Sequence, residues 1–427
     1  MPDVVTGPFP ASADAAPPEL VVATYWVGVP AGGDIEQRVR DLVGTASTGT
    51  WVTLPGETDR IRERHGARVL ATRRMTDLEA GETGHPDLVG WVVEIGYPAH
   101  NFDGQLALLL ATTVGEAAAQ GPLRLIDLAL PASFIRAFRG PRLGVAGIRE
   151  RLGVSGRPLL VTMMKPALGL SPNESGSIFR DLALGGVDAV KDDEVLVAHP
   201  WSSIVDRVRA HERAAAEVFE VTGHRTISFV NVTDRPDRML ANAHRAVEAG
   251  ASGLMIDFVA VGVSALGMLA EDPGLDVPIL GHFAFADAIT GSPTGGVAAH
   301  LLLGMLPRLA GADLVVYPAP YGSLRIDPAV YRRVARTLTG PLDGIAAALP
   351  VPGGGLHAGM VPRLVVDLGT DFAVGAGGAV HGHPLGAAAG AKAIRQAIDA
   401  SIAGESLADA ARRHPELAAA LSMWPEV

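Results

Sequence analysis

Hydrophobic and polar positions change their rhythm near residue 145. Before it, apolar, largely β-branched runs at 20–27, 68–72, 90–96 and 122–128 predict strands, and the patterns at 34–43 and 103–119 predict helices. Strands and helices mixed within about 125 residues predict an α+β domain. After it, short apolar runs recur, each followed by a helical stretch: 159–164, 189–190 closed by Lys191, 226–230, 253–256, 277–280, 313–316, 346–351 and 372–374. Runs that are apolar throughout, rather than alternating, predict a parallel sheet buried on both faces. Eight such units over about 220 residues favour a (β/α)8 TIM barrel over an open sheet. The expected architecture is α/β: residues 1–19 as a disordered lead-in broken by Pro8, Pro10, Pro17 and Pro18, 20–145 as a smaller α+β domain, and 146–427 as the barrel with a C-terminal helical tail.

A barrel places its chemistry at the C-terminal ends of its strands. Lys165-Pro166, Lys191-Asp192-Asp193-Glu194, Asn231, Gly281-His282, Tyr317-Pro318, Gly353-Gly354-Gly355 and Gly375-Ala376-Gly377-Gly378 are predicted there. Three carboxylates after a lysine can supply oxygen ligands to Mg²⁺, or can form a solvated acidic turn. Gly354, Gly355, Gly377 and Gly378 can present backbone N–H groups to a phosphate, or simply make tight turns. They are no dinucleotide fingerprint, because Ala358 and Val380 stand where further glycines are needed. His282 is a proton-transfer candidate or a structural histidine. Lys165, entering a barrel mouth after an apolar strand, calls for an anion. His381 and His383 offer at most two ligands of a metal site.

Composition narrows the classes. Of 427 residues, 48% are hydrophobic, enough for a large core. Lys plus Arg is 35 and Asp plus Glu is 46, a net charge of −11, which argues against nucleic acid or an anionic membrane as the main partner. With no cysteine, thiolate catalysis, disulfides and Cys-ligated metals are excluded. No apolar run reaches the roughly 18 residues of a membrane span, and the Pro- and Ala-rich start does not read as a signal peptide. A cytoplasmic, soluble protein is expected.

Together these residues carry a family resemblance. Ser47-Thr48-Gly49-Thr50-Trp51, Met164-Lys165-Pro166-Ala167-Leu168-Gly169-Leu170, Gly185-Gly186-Val187-Asp188 leading to Lys191-Asp192-Asp193-Glu194, and Gly382-His383-Pro384 resemble RuBisCO, in order and spacing, from about residue 20 to 405. The resemblance implies a ferredoxin-like N-terminal domain and a lysine, Lys191, carbamylated by CO2, which with Asp193 and Glu194 holds Mg²⁺. It also implies a homodimer, in which Thr50 and Trp51 reach the barrel mouth of the partner subunit. The departures point away from carboxylation. Ala167 and the 321–324 loop lack the family's lysines, Phe283 replaces an arginine, and Val316, Gly353, Thr45 and Glu116 replace a histidine, a serine, a glutamate and an asparagine. The chain therefore resembles the RuBisCO-like proteins.

Within that group the Pro318–Ser323, Val380–Pro384 and Gly49–Pro55 stretches are most similar to the 2,3-diketo-5-methylthiopentyl-1-phosphate enolases of methionine salvage. The implied chemistry is formation of a metal-stabilised enolate from a phosphorylated keto compound, with Lys165 and His282 as proton-transfer groups and the two glycine turns on the phosphate. Glu116 stands where those enolases carry a lysine base, and must be raised in pKa by burial to serve. The alternative is a decarboxylase of a branched 3-oxo acid phosphate, of the 3-oxo-isoapionate 4-phosphate type, which reaches the same enolate without a C–H base. A non-catalytic binding protein is the third reading. It leaves Lys165, Lys191, Asp193, Glu194 and His282 together without a structural purpose.

Overall fold

A computed structural model describes residues 19–50, 52, 54–76, 83–324 and 326–427, so the predicted lead-in, apart from Glu19, and Trp51 lie outside the described residues. The chain divides into two compact units, one running to Phe138 and including Phe285–Leu302, the other comprising Arg139–Ala284 and Leu303–Val427.

In the first unit β1 (Leu20–Pro30), β2 (Arg68–Arg74), β3 (Leu88–Pro98) and β4 (Leu123–Ala129) form an antiparallel sheet in the order β2-β3-β1-β4. Helix Ile35–Thr45 crosses between β1 and β2, and helix Leu106–Val114 between β3 and β4. That β-α-β-β-α-β order with β1 and β3 central is the ferredoxin-like arrangement. The predicted 34–43 helix is started by Asp34, whose side chain accepts from the Gln37 N–H. The predicted 103–119 helix is interrupted: Gly115, at φ −61° and ψ −113°, leaves the helical region, and a separate turn, Glu116–Ala119, follows. Segment Phe285–Leu302 joins this unit through β4. The Leu125 N–H donates to Gly296 O (3.0 Å), the Ala298 N–H donates to Leu125 O (2.9 Å), and Arg124 donates to the Thr290 and Gly295 carbonyls.

The second unit is a closed barrel of eight parallel strands: β5 (Leu159–Met163), β6 (Ala189–Lys191), β7 (Ile227–Asn231), β8 (Gly253–Ile256), β9 (Ile279–Gly281), β10 (Leu314–Pro318), β11 (Leu349–Gly353) and β12 (Ala373–Gly375), which returns to β5. Each predicted run from 159 onward becomes one of these strands, shifted by up to three residues at its ends. Leu159, Ala189, Ile227, Leu314, Leu349 and Ala373 supply one level of a continuous apolar core, joined by Ile148 and Leu152 of helix Gly144–Leu152. The helix thus closes the end at which the strands begin. Side chains alternate along a strand. Two residues beyond the core positions Ala189, Phe229, Met255 and Leu280 therefore come Lys191, Asn231, Asp257 and His282, on the interior face at the opposite end. No helix among the described residues is long and apolar enough to cross a membrane.

Candidate active site

The site grows from that alternation. Lys191, the last residue of β6, has none of its side chain exposed, an expensive position for an amine. Its Nζ donates to Asp192 O at 3.0 Å and lies 3.5 Å from Glu194 Oε2. Burial lowers the Lys191 pKa from the ordinary lysine value, against Glu194, Asp193 and Asp257, which raise it. Lys165, past the end of β5, places Nζ 2.6 Å from Asp193 Oδ2. Asn231 donates from Nδ2 to the carbonyls of Asp193 (3.3 Å) and Glu194 (3.2 Å), so the end of β7 fixes the acidic turn.

Asp192 is turned the other way. Arg207 of helix Ile204–Thr222 donates to its Oδ2 from Nε (3.2 Å) and Nη2 (3.1 Å), and the Asn231 N–H adds a third bond; both side chains are wholly buried. Of the three adjacent carboxylates, one anchors the turn and two remain at the mouth.

His282 follows β9. The Ala284 N–H donates to its Nδ1 (3.2 Å), which puts the ring proton on Nε2, 3.6 Å from Glu194 Oε2. Burial first, then Lys191 and Lys165, push its pKa well below the usual histidine value, so the ring is neutral. Asp257 Oδ1 stands 3.5 Å from His282 Nδ1 and is buried with no hydrogen-bond partner. Burial lifts the Asp257 pKa to about 6, while Lys191 and bonds from Asn231 and Thr233 pull it down. Sequence reasoning missed Asp257, although its place two residues beyond core Met255 was the available sign.

The glycine turns have their own packing reasons. A Cβ at Gly354 would lie 2.5 Å from the Leu324 side chain, and one at Gly355 2.7 Å from the Ser323 nitrogen; both residues have positive φ. The loop after β10 thus rests on the turn after β11, and the Ser323 N–H donates to Gly354 O at 2.8 Å. Gly377 packs on Met163, whereas a Cβ at Gly378, which opens the short helix Gly378–His381, would meet nothing within 4 Å. His383 uses both ring nitrogens on backbone, at Glu416 O (3.0 Å) and the Leu385 N–H (3.1 Å), and His381 Nε2 lies 2.9 Å from Met163 O.

Lys165, Lys191, Asp193, Glu194 and His282 are therefore gathered at one barrel mouth. Thr50 and Glu116 belong to the other unit and are both exposed within it. Among the described residues no group of three or more His, Asp or Glu side chains forms a ready metal site. The mouth instead offers two carboxylates with a buried lysine as third member.

Comparison with known proteins places both units. The ribulose bisphosphate carboxylase large chain N-terminal domain matches residues 14–134 and its catalytic domain matches 144–424. A ribulose bisphosphate carboxylase-like protein of Archaeoglobus fulgidus is 41% identical over 388 residues, 91% of this chain and 89% of the relative. A 2,3-diketo-5-methylthiopentyl-1-phosphate enolase of Geobacillus thermodenitrificans is 41% identical over 405 residues, 95% and 98% of the two chains. The crystal structure of a RuBisCO-like protein from Alicyclobacillus acidocaldarius superposes with a TM-score of 0.86 at 37% identity, covering 95% of this chain and all (100%) of that one.

Proposed function

We propose, from the premise that the chain belongs to the ribulose bisphosphate carboxylase large-chain family as a RuBisCO-like member, that it catalyses an enolase-type reaction on a phosphorylated keto compound. The substrate we propose is the one named for its enolase relatives, 2,3-diketo-5-methylthiopentyl 1-phosphate. It is not a carboxylase: Ala167, Phe283 and Ser323 stand where carboxylases carry cationic groups. The observation that carries this reading is the wholly buried Lys191, held at the barrel mouth beside Glu194 and the Lys165-paired Asp193.

The residues fit Mg²⁺ once Lys191 is carbamylated. Mg²⁺ wants an all-oxygen shell, and an amine is a poor member of one. The lowered pKa favours the neutral amine, whose nitrogen would attack CO2, forming the N–C bond as a C=O π bond opens and a proton is released, so that an anionic carbamate takes the place of the amine. Lys191, Asp193 and Glu194 would then hold the metal. When bound, Mg²⁺ supplies Lewis-acid stabilisation of the developing enolate oxygen.

The chain's own groups do the rest. Lys165, released from Asp193, donates to the substrate oxygen or moves a proton. Neutral His282, with its proton on Nε2, is the second proton-transfer group. Gly354, Gly355, Gly377 and Gly378 orient the single phosphate through backbone N–H groups. The chain works as a homodimer, with Thr50, Trp51 and the base Glu116 supplied to the barrel of the other copy.

Glu116 favours a second reading. It is exposed within its own chain, and a carboxylate needs burial to act as a base on a C–H bond. Decarboxylation of a branched 3-oxo acid phosphate reaches the same enolate without that base. The deciding assay incubates the protein, preactivated with Mg²⁺ and bicarbonate, with the diketone phosphate, a 3-oxo acid phosphate or ribulose bisphosphate. Enol formation, CO2 release and fixation of labelled CO2 are followed separately. Enol formation from the diketone alone is expected. CO2 release from the oxo acid alone establishes the second reading, and no turnover of either overturns both.

A further inference from the structure

We propose that His65, His100 and Asn101 in the ferredoxin-like unit form a binding site for a divalent transition metal of the Zn²⁺ or Ni²⁺ class, using none of the barrel's residues. His65 is the last residue of helix Asp59–His65, and His100 and Asn101 lie in the turn Ala99–Phe102 that follows β3. Two elements far apart in sequence thus bring two imidazoles together at the surface, ring centroids 5.1 Å apart and planes at 71°.

The amide fixes the arrangement. Asn101 Nδ2 donates to the backbone carbonyl of His65 at 2.9 Å, which turns Oδ1 toward the ring of the same histidine, 2.7 Å from Nδ1. An amide oxygen only accepts, so His65 Nδ1 carries the proton. His100 Nε2 lies 3.3 Å from that nitrogen and must face the proton as an acceptor. Two acceptors and the nitrogen that owns the proton therefore converge on one point. If the ring shifts tautomer, taking a proton from water on Nε2 as it gives up the Nδ1 proton, three lone pairs aim there, and a metal can take the proton's place.

The distances suit a metal of that class. Two imidazole nitrogens on tetrahedral Zn²⁺, each about 2.0–2.1 Å from it, are about 3.3 Å apart. That is the observed His65–His100 separation. The Asn101 oxygen has to withdraw by about half an ångström to complete the third corner, with water as the fourth. Two imidazoles and one amide oxygen select borderline metals over Mg²⁺ or Ca²⁺.

The test is calorimetric titration of the full chain with ZnCl2 in Mg²⁺-containing buffer, for the wild type, His65→Gln, His100→Gln and Asp193→Asn. One Zn²⁺ event per chain is expected, retained in Asp193→Asn and weakened by more than about tenfold in each histidine variant. Co²⁺ substitution gives a second readout: visible d–d absorption that both histidine variants lose. His100 sits in an exposed turn, so its variant remains informative if His65→Gln folds poorly. The proposal is overturned if the wild type binds no Zn²⁺, if the histidine variants bind as the wild type does, or if the event disappears only in Asp193→Asn.

Discussion

Lys165 Nζ lies 2.6 Å from Asp193 Oδ2, so the lysine past the end of β5 is paired with a carboxylate that the proposed Mg²⁺ site would need as a ligand. Lys165 is 41% exposed and Asp193 only 4%, so the lysine is the member free to move. Removing it separates binding from catalysis. Lys165→Met is expected to leave Mg²⁺ affinity undiminished, because Asp193 loses a competitor, while turnover falls by about a hundredfold or more through loss of a proton-transfer group. Mg²⁺ titration and kcat measured on the same preparation check this; weakened Mg²⁺ binding with intact turnover would reverse the assigned roles.

Lys191 is expected to make activity depend on CO2 as well as Mg²⁺. Only the neutral amine reacts with CO2, and burial lowers the Lys191 pKa, so activation rises with pH and begins below the range of an exposed lysine. Protein stripped with a chelator in CO2-free buffer should be inactive and recover when bicarbonate and Mg²⁺ are added together. Lys191→Ala should lose nearly all turnover, since one ligand and the charge balance of the turn go with it. Full activity in CO2-free buffer, or in Lys191→Ala, would show that another group completes the site.

The barrel was legible because each strand is an apolar run closed by a polar or glycine residue, and the closing residues fall on one rim. What the chain order hid was direction. Lys191, Asp192, Asp193 and Glu194 read as one acidic cluster, yet alternation turns Asp192 outward onto Arg207, fifteen residues away in sequence. Asp257 drew no reading from the sequence; it follows β8, stands at the N-cap of helix Phe258–Val261, and its inward direction shows once Met255 is known to be core. The 103–119 pattern hid the break at Gly115 because its apolar residues run almost all round the helix, leaving no polar face to mark an end.

Stability carries its own pH signature through His211. Its ring is buried between Ser175 Oγ (2.6 Å from Nε2) and Ser228 Oγ (2.9 Å from Nδ1), stacked on Phe179, and burial lowers its pKa from 6.5 to about 4. The unfolded chain takes up the proton first, so this contribution is fully present above pH 6.5 and is lost as pH falls from there toward about 4. Between about pH 7 and pH 5 the loss is about 2 kcal/mol. Urea denaturation at the two pH values should show it in the wild type. His211→Asn, less stable at neutral pH, should show a slope smaller by that amount; an unchanged slope would mean that other histidines carry it.

Glu116 is expected to decide which chemistry runs. The family resemblance implies that it stands where the enolases carry a lysine base, and the fold leaves it exposed at the first position of a four-residue helix. A carboxylate abstracts a C–H proton near neutral pH only if a second surface desolvates it. In the proposed dimeric enolase that surface would come from the other subunit, and Glu116→Gln should abolish deuterium exchange at the carbon next to the ketone while substrate still binds. In a decarboxylase the electron pair comes from the breaking C–C bond, so the same substitution should leave turnover within about twofold of wild type. Exchange monitored by NMR, alongside CO2 release, separates the two. Exchange that persists in Glu116→Gln removes this residue as the base and points to Lys165 or His282, the proton-transfer candidates at the barrel mouth.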